Sequence, residues 1–247
     1  MLAALLTAIQ TLTRIPVPSP ARAPDARMIA WSAVFYPAVG ALLGGFGVGV
    51  FELLDGRLPA SVVALIILAL WAFLTGALHE DGVADSFDAF GSQSAREDIL
   101  RILKDSRIGS YGAMALVLAT LLRWQGLSLL PPESVIFGLM ASQVLPRAGV
   151  VLLAYWAGPA TAGTGGGMAA ALTAAPVAIT LGVSAMILWP IGGMQLLAPA
   201  IGCLLITSLL AIYFRRRLGG VTGDCLGAAE QAQEIMVLLA ILASWPA

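Results

Sequence analysis

The sequence predicts an all-α, polytopic bundle of about six to seven transmembrane helices. Hydrophobic residues make up 59% of the 247 residues, charged residues make up 11%, and the mean hydropathy is +0.92. Soluble domains carry about a quarter charged residues, so this composition is typical of an integral membrane protein. Apolar stretches long enough to cross a hydrocarbon core about 30 Å thick recur along the chain. We therefore expect a single integral membrane domain over residues 1–247.

The apolar stretches define the expected spans in chain order. They cover residues 31–51, 60–78, 112–130, 134–157, 169–189 and 195–214, and a seventh begins near residue 224. Residues 2–13 form a stretch of about a dozen residues, which is too short to span and predicts an interfacial or re-entrant helix. No basic residue precedes that stretch, so we do not expect a removable signal peptide. In the first span, the GxxxG spacings at 40/44 and 45/49 predict close helix packing.

Basic residues predict the orientation in the membrane. Three segments, residues 14–27, 96–107 and 215–217, contain ten of the 13 Lys and Arg residues, and the number of intervening spans places all three on one side. The positive-inside rule makes that side cytoplasmic. The acidic segments 79–88 and 224–234 then face the cytoplasm as well. A net charge of −1 gives no basic face, so we do not expect nucleic-acid binding.

The first candidate site is HEDGVADSFD, residues 79–88. Asp81, Asp85 and Asp88 are spaced i, i+4 and i+7, which places three carboxylates on one stripe of a helix. Three like charges repel, so the stripe needs either a divalent cation or a fully solvated surface. Oxygen ligands favour Mg²⁺, with Mn²⁺ or Ca²⁺ as alternatives. His79 is the only histidine, which argues against a zinc site.

The second candidate site is GGVTGDCLGAAEQAQE, residues 219–234. If a helix begins near residue 224, Asp224, Gln231 and Glu234 share one broad face. Gly223 and its neighbouring glycines leave the backbone open to an anionic group, and Thr222 or Asp224 can cap the helix. We therefore expect Asp224 and Glu234 to complete a metal site with the first stripe.

The third segment is RILKDSRIGSYG, residues 101–112. Its cations lie beside Asp105 and ahead of Gly109. Two interpretations stay open: a juxtamembrane segment that contacts anionic lipid, or cations that hold phosphate groups. Carboxylates that hold a divalent metal near cations suit phosphoryl transfer, so the sequence favours an enzyme that acts on a diphosphate.

Five motifs together point to a known family. They are TRIPVP at 13–18, FYPAVGALLG at 35–44, HEDGVADSFDAFG at 79–91, LKDSRIGSYG at 103–112 and GGVTGDCLGAAEQAQE at 219–234. In this order, over nearly the whole chain, they resemble the adenosylcobinamide-GDP ribazoletransferase family, also called cobalamin 5′-phosphate synthase. The resemblance implies a multi-pass bacterial inner-membrane transferase that depends on Mg²⁺ and has its active site on the cytoplasmic side.

The resemblance also implies a reaction. A ribose hydroxyl of α-ribazole, or of α-ribazole 5′-phosphate, attacks the phosphate bonded to cobinamide in adenosylcobinamide-GDP. GMP leaves, and adenosylcobalamin or its 5′-phosphate forms. A homo-oligomer stays open, as does the identity of the natural lower-ligand base.

Site residues follow by position from the resemblance. As metal ligands it implies Asp81, Asp85, Asp88, Asp224 and Glu234, and as catalytic groups Asp85, Asp88 and Asp224, with Asp88 as our candidate general base. The expected substrate-binding residues are Arg14, His79, Lys104, Asp105, Arg107, Gly109 and Gly223. Two positions depart from the family pattern: Gln231 stands where we expect an acidic residue, and residues 159–172 lack an expected basic residue.

Two alternatives were weighed against this interpretation. A CDP-alcohol phosphatidyltransferase shares the chemistry, but its acidic motif continues with Ala and Arg after the glycine, where this chain has Val83 and Ala84. A transporter places charged residues near the bilayer midplane, often at broken helices. Here the acids cluster at one face, and only Arg147, beside Pro146, lies deep.

Overall fold

Helices form all the regular secondary structure in the part of the chain that the structure describes. The computed structural model describes residues 1–18, 24–91, 95–105, 107–161 and 164–245, so Arg22 of the predicted basic segments lies outside the described residues. Within these ranges no strand occurs, and one isolated β-bridge joins Pro159 to Val221. The predicted all-α class is confirmed.

The described residues contain twelve α-helices. In chain order the helices are α1 (Leu2–Leu12), α2 (Ala26–Ser32), α3 (Tyr36–Leu54), α4 (Ala60–Thr75), α5 (Leu78–Gly91), α6 (Arg96–Ile102), α7 (Ser110–Ser128), α8 (Val135–Ala157), α9 (Thr164–Ala171), α10 (Ala174–Gly192), α11 (Leu197–Leu218) and α12 (Gly223–Ser244). Short 3-10 segments precede α3, α8 and α11.

Several stretches are long and apolar enough to cross a membrane, which confirms a multi-pass membrane protein. Among the described residues there are four, Ala26–Leu54, Pro132–Ala157, Ala174–Leu218 and Gly223–Ser244, and a fifth if α4 and α5 count as one broken span. The third of these has 45 residues, about twice the length that one crossing needs. Gly193, with φ of 50°, interrupts it between α10 and α11.

Three predicted spans need correction. The span predicted at 60–78 ends at Thr75, because Gly76 and Ala77 adopt left-handed backbone conformations, and α5 then leaves at an angle of 88°. The stretch predicted at 112–130 is a helix, α7, but it is not among the apolar stretches above and it contains the buried Arg123. The span predicted at 169–189 is interrupted after Ala171, where α9 ends.

The core is organised around α8, which is buried along most of its length against α3, α10, α11 and α12. Gly40 and Gly44 let α3 approach α8 closely, since a Cβ at Gly44 would lie 3.0 Å from the Leu139 carbonyl oxygen. The packing predicted for the 40/44 pair is therefore confirmed. An added Cβ at Gly45 or Gly49 would have no neighbour within 4 Å among the described residues. The prediction that the 45/49 pair packs closely against another helix was therefore wrong.

A second close approach joins α5 to α12 and positions the candidate site. A Cβ at Gly82 would lie 2.8 Å from the Asp224 carbonyl oxygen and 3.0 Å from the Gly227 Cα. Because both positions are glycine, the two backbones come into direct contact. This contact brings the acidic first turns of α5 and α12 together.

Candidate active site at the junction of α5 and α12

Local sequence explains where the two acidic helices begin. The left-handed Gly76 and Ala77 end α4, and the amide of Asp81 bonds to the Ala77 carbonyl oxygen at 2.9 Å, so α5 starts at once. On α12 the hydroxyl of Thr222 accepts a hydrogen bond from the Cys225 amide at 3.3 Å. Asp224 thus occupies the first turn of α12, where the helix dipole stabilises a negative charge.

Three aspartates cluster across the α5–α12 contact. Asp85 lies within electrostatic range of Asp81, Asp224 and Asp88, and Asp81 lies within electrostatic range of Asp224 as well. Asp81 is exposed, and the other two are half-buried. In the described ranges none of the three forms an ion pair. Like charges this close together favour a bound cation.

Asp88, the remaining aspartate of the predicted stripe, has a different environment. Its two carboxylate oxygens accept hydrogen bonds from the amides of Gly109, at 2.6 Å, and Gly112, at 2.8 Å. Gly109 precedes the first residue of α7, so Asp88 caps that helix from a neighbouring one. Each oxygen keeps a second lone pair beside this cap, so the expected metal-binding and general-base roles of Asp88 stay predictions.

Glu234 lies away from the aspartate cluster. It is ten residues beyond Asp224 on α12, a rise of about 15 Å. Its Oε1 atom is 3.0 Å from Nε of Arg123, and its side chain is 1% exposed. A metal ion bound at about 2.1 Å to Asp224 is out of reach of Glu234. We therefore correct the predicted ligand set by removing Glu234.

The buried glutamates form ion pairs that sequence reasoning missed. Glu230 lies 2.9 Å from Arg147 Nη1 and 3.3 Å from His79 Nδ1, and Arg123 Nη1 donates to Glu80 Oε1 at 2.9 Å. Two arginines inside apolar helices were the signal that could have identified this network, because an intramembrane charge needs a buried partner.

Gln231 belongs to the same network. Its Nε2 atom donates to Glu80 Oε1 at 3.3 Å. Gln231 therefore supplies a hydrogen-bond donor at the position where the resemblance implied an acidic residue, and it supports the Glu80–Arg123 pair.

The first turn of α5 contributes to the walls of two cavities. The His79 cavity, about 560 Å³, lies among α1, α2, α5, α8, α9 and α12, and its polar wall includes His79, Arg147, Glu230, Gly223 and Asp224. The Arg14 cavity, about 500 Å³, lies between α1, the α4–α5 junction and α7. Thr11, Leu78 and Asp81 line both cavities. Asp81 therefore stands at their shared wall.

The predicted substrate-binding residues divide between the cavities and the surface. Arg14 lines the Arg14 cavity, and its side chain lies directly over Gly76. Lys104, Asp105 and Arg107 line neither cavity. The guanidinium and the backbone amide of Arg107 both donate to the Asp105 carboxylate, with the shortest contact at 2.7 Å from Nη2, and these hydrogen bonds lower the pKa of Asp105 to about 2. This segment stays a prediction as a phosphate-binding element.

The carboxylates of the aspartate cluster can be compared with the ligands that Mg²⁺ takes in proteins. No three His, Cys, Asp or Glu side chains in the described ranges stand close enough to hold a metal ion by themselves. Mg²⁺ is commonly bound by one or two carboxylates, with water and substrate phosphates completing the shell. The carboxylates of Asp81, Asp85 and Asp224 fit that mode, in which phosphate oxygens of the substrate supply the missing ligands, and the role of each as a ligand stays a prediction.

Comparisons with known proteins agree over nearly the whole chain. The sequence profile of the family described as "Cobalamin-5-phosphate synthase" matches residues 4–242. A protein of Ralstonia pickettii (strain 12J) named adenosylcobinamide-GDP ribazoletransferase is 38% identical over 97% of this chain and 95% of its own length. A protein of the same name from Shewanella sp. (strain W3-18-1) is 34% identical over 96% and 92%. No solved structure matches the chain.

Proposed function

This chain belongs to the cobalamin-5-phosphate synthase family, and we propose that it transfers the cobinamide-phosphate moiety of adenosylcobinamide-GDP to a ribose hydroxyl of α-ribazole or α-ribazole 5′-phosphate. The ribose oxygen forms a bond to the phosphorus atom attached to cobinamide. The bond from that phosphorus to the bridging oxygen breaks, and GMP leaves with that oxygen. The products are adenosylcobalamin, or its 5′-phosphate, and GMP.

The observation that carries this proposal is the aspartate cluster at the junction of α5 and α12. Asp85 and Asp224 would hold Mg²⁺ there, in a ligand shell completed by the diphosphate. When bound, Mg²⁺ neutralises charge on the phosphate oxygens and on the leaving group. Asp81 lines both cavities, and its exposed carboxylate is placed to accept the proton of the attacking hydroxyl.

The contacts of Glu230 with Arg147 and His79 stabilise the helices that carry the aspartate cluster. Arg147 and Glu230 are each 1% exposed, and both line the His79 cavity. Ion pairs with so little exposure hold their side chains in one arrangement. They fix α5, α8 and α12 relative to one another, and so keep Asp81 opposite Asp224.

We place the reaction at the cytoplasmic face of a bacterial inner membrane. The basic segments around residues 96–107 and 215–217 support this orientation, and the similar proteins named above come from bacteria. Contact of these segments with anionic lipid, and assembly as a homo-oligomer, remain predictions.

One assay tests the proposal. Purified full-length protein in nanodiscs is given adenosylcobinamide-GDP, α-ribazole and Mg²⁺, and GMP release and the corrinoid product are measured together. We expect equimolar GMP and product, and loss of both with EDTA. Turnover of CDP-diacylglycerol instead, or substrate flux through proteoliposomes without product, would overturn it.

A further inference from the structure

The two cavities that meet at Asp81 differ in chemistry. The described lining of the His79 cavity is mostly apolar, with contributions from Leu12, Ile29, Tyr36, Val150, Met168 and Leu226. The described lining of the Arg14 cavity is rich in polar side chains, among them Gln10, Thr11, Thr13, Thr75 and the cation of Arg14, and it also includes the carboxylates of Glu80 and Asp81. One cavity therefore suits a flat apolar ring, and the other suits a nucleotide with a phosphate group.

Displacement at phosphorus imposes a geometric requirement on these cavities. The attacking oxygen and the leaving oxygen lie roughly in line, on opposite sides of the phosphorus. The nucleophile and the leaving group must therefore occupy separate spaces on opposite sides of that phosphorus. The two cavities share Asp81, Leu78 and Thr11, so they are separate spaces that adjoin at the same carboxylate.

We infer that the His79 cavity binds the ribazole-type nucleoside and that the Arg14 cavity binds the guanosine nucleotide leaving group. This inference rests on the proposed function. In the His79 cavity the apolar walls take the aromatic base, and the ribose hydroxyl points towards Asp81. In the Arg14 cavity the guanidinium of Arg14 pairs with the phosphate of GMP.

Cavity size adds a consequence for the corrinoid. Volumes of about 560 Å³ and about 500 Å³ suit ligands the size of a nucleoside or nucleotide. The corrin ring with its side chains is several times larger than a nucleoside. The cobinamide portion therefore lies outside both cavities, beside the exposed Asp81, and only its phosphate reaches the carboxylates.

Two bulky substitutions give a matched test. Ile29 lines only the His79 cavity and Leu116 lines only the Arg14 cavity, and both are half-buried aliphatic residues away from the carboxylates. Ile29→Trp should weaken α-ribazole binding and leave GMP binding unchanged. Leu116→Trp should do the reverse. Arg14→Gln removes the positive charge and adds no bulk, and Arg14 is exposed.

The measurement is equilibrium binding of GMP and of α-ribazole to the purified full chain, followed by KM for each substrate. We expect Arg14→Gln to weaken GMP binding about tenfold, the effect of losing one charged hydrogen bond. Its KM for α-ribazole should stay the same. The inference would be overturned if Ile29→Trp weakened GMP binding and Leu116→Trp weakened α-ribazole binding, or if each variant weakened the binding of both ligands equally. It would also be overturned if Leu116→Trp and Arg14→Gln both left GMP binding unchanged.

The proposed function and the assignment of the two cavities can fail separately. If the unsubstituted protein releases no GMP from adenosylcobinamide-GDP, the proposed function fails. If it does release GMP but the variants do not divide the two ligands as stated, only the assignment of the cavities fails.

Discussion

The same two helices, α5 and α12, carry two carboxylate clusters with opposite electrostatic environments. One contains Asp81, Asp85 and Asp224, and the other contains Glu80, Glu230 and Glu234. The glutamates each contact an arginine within 3.0 Å, whereas the aspartates form no ion pair in the described part of the chain. Paired carboxylates stabilise the arrangement of helices, and unpaired neighbours attract a cation. The comparison separates groups that hold the fold from groups available for chemistry.

The largest expected effect comes from breaking the paired cluster. Arg147→Met leaves Glu230 buried without its guanidinium, and we expect a loss of about 3–5 kcal/mol in the free energy of unfolding. Chemical unfolding of the protein in mixed micelles measures this loss.

The matched control for Arg147→Met is the double variant that also carries Glu230→Leu. It removes both charges, so most of the lost stability should return. A single variant as stable as the unsubstituted protein would show that the Arg147–Glu230 pair does not hold the helices together.

Breaking the unpaired cluster should affect rate and not folding. Asp85→Asn or Asp224→Asn removes charge from the proposed metal site, and we expect GMP release to fall by about 10²–10³-fold. Stability should be unchanged or slightly higher, because repulsion within the cluster is relieved.

Asp98→Asn is the control for these two variants. Asp98 is exposed on α6, where it pairs with Arg101, so its substitution should leave turnover intact. If Asp85→Asn kept near wild-type activity at saturating Mg²⁺, Asp85 would not be part of the proposed metal site.

A smaller effect is expected at the contact that joins the clusters. Gly82→Ala places a methyl group against the backbone of α12, 2.8 Å from the Asp224 carbonyl oxygen, and should destabilise the protein by about 1–3 kcal/mol. Turnover should fall as well, because Asp81 and Asp224 move apart. Gly45→Ala, where nothing lies within 4 Å, should change stability by less than about 0.5 kcal/mol. Equal effects at both glycines would contradict the close α5–α12 contact.

Sequence patterns predicted the helical class and the acidic first turns because both depend on local periodicity. The expectation that Asp224 lies on the same side as Asp85 came from a count of spans that the structure revises, so the close contact of α5 and α12 is the structure's own information. Glu234 shows the limit: a helical wheel gives the angle of a residue but ignores its rise along the axis, and ten residues separate it from Asp224 by about 15 Å. The Arg123–Glu234 and Asp88–Gly109 contacts join distant segments, so neither follows from spacing within one helix.

The smallest expected effect distinguishes Asp88 from the other aspartates of the stripe. In Asp88→Asn the side chain keeps one oxygen that can accept a hydrogen bond from the backbone amide of Gly109 or Gly112. We therefore expect a loss of about 1 kcal/mol in stability and nearly normal turnover. Thermal unfolding and GMP release in the same preparation measure both. A stable Asp88→Asn variant that no longer turns over would instead make Asp88 the general base, as its position in the sequence predicts.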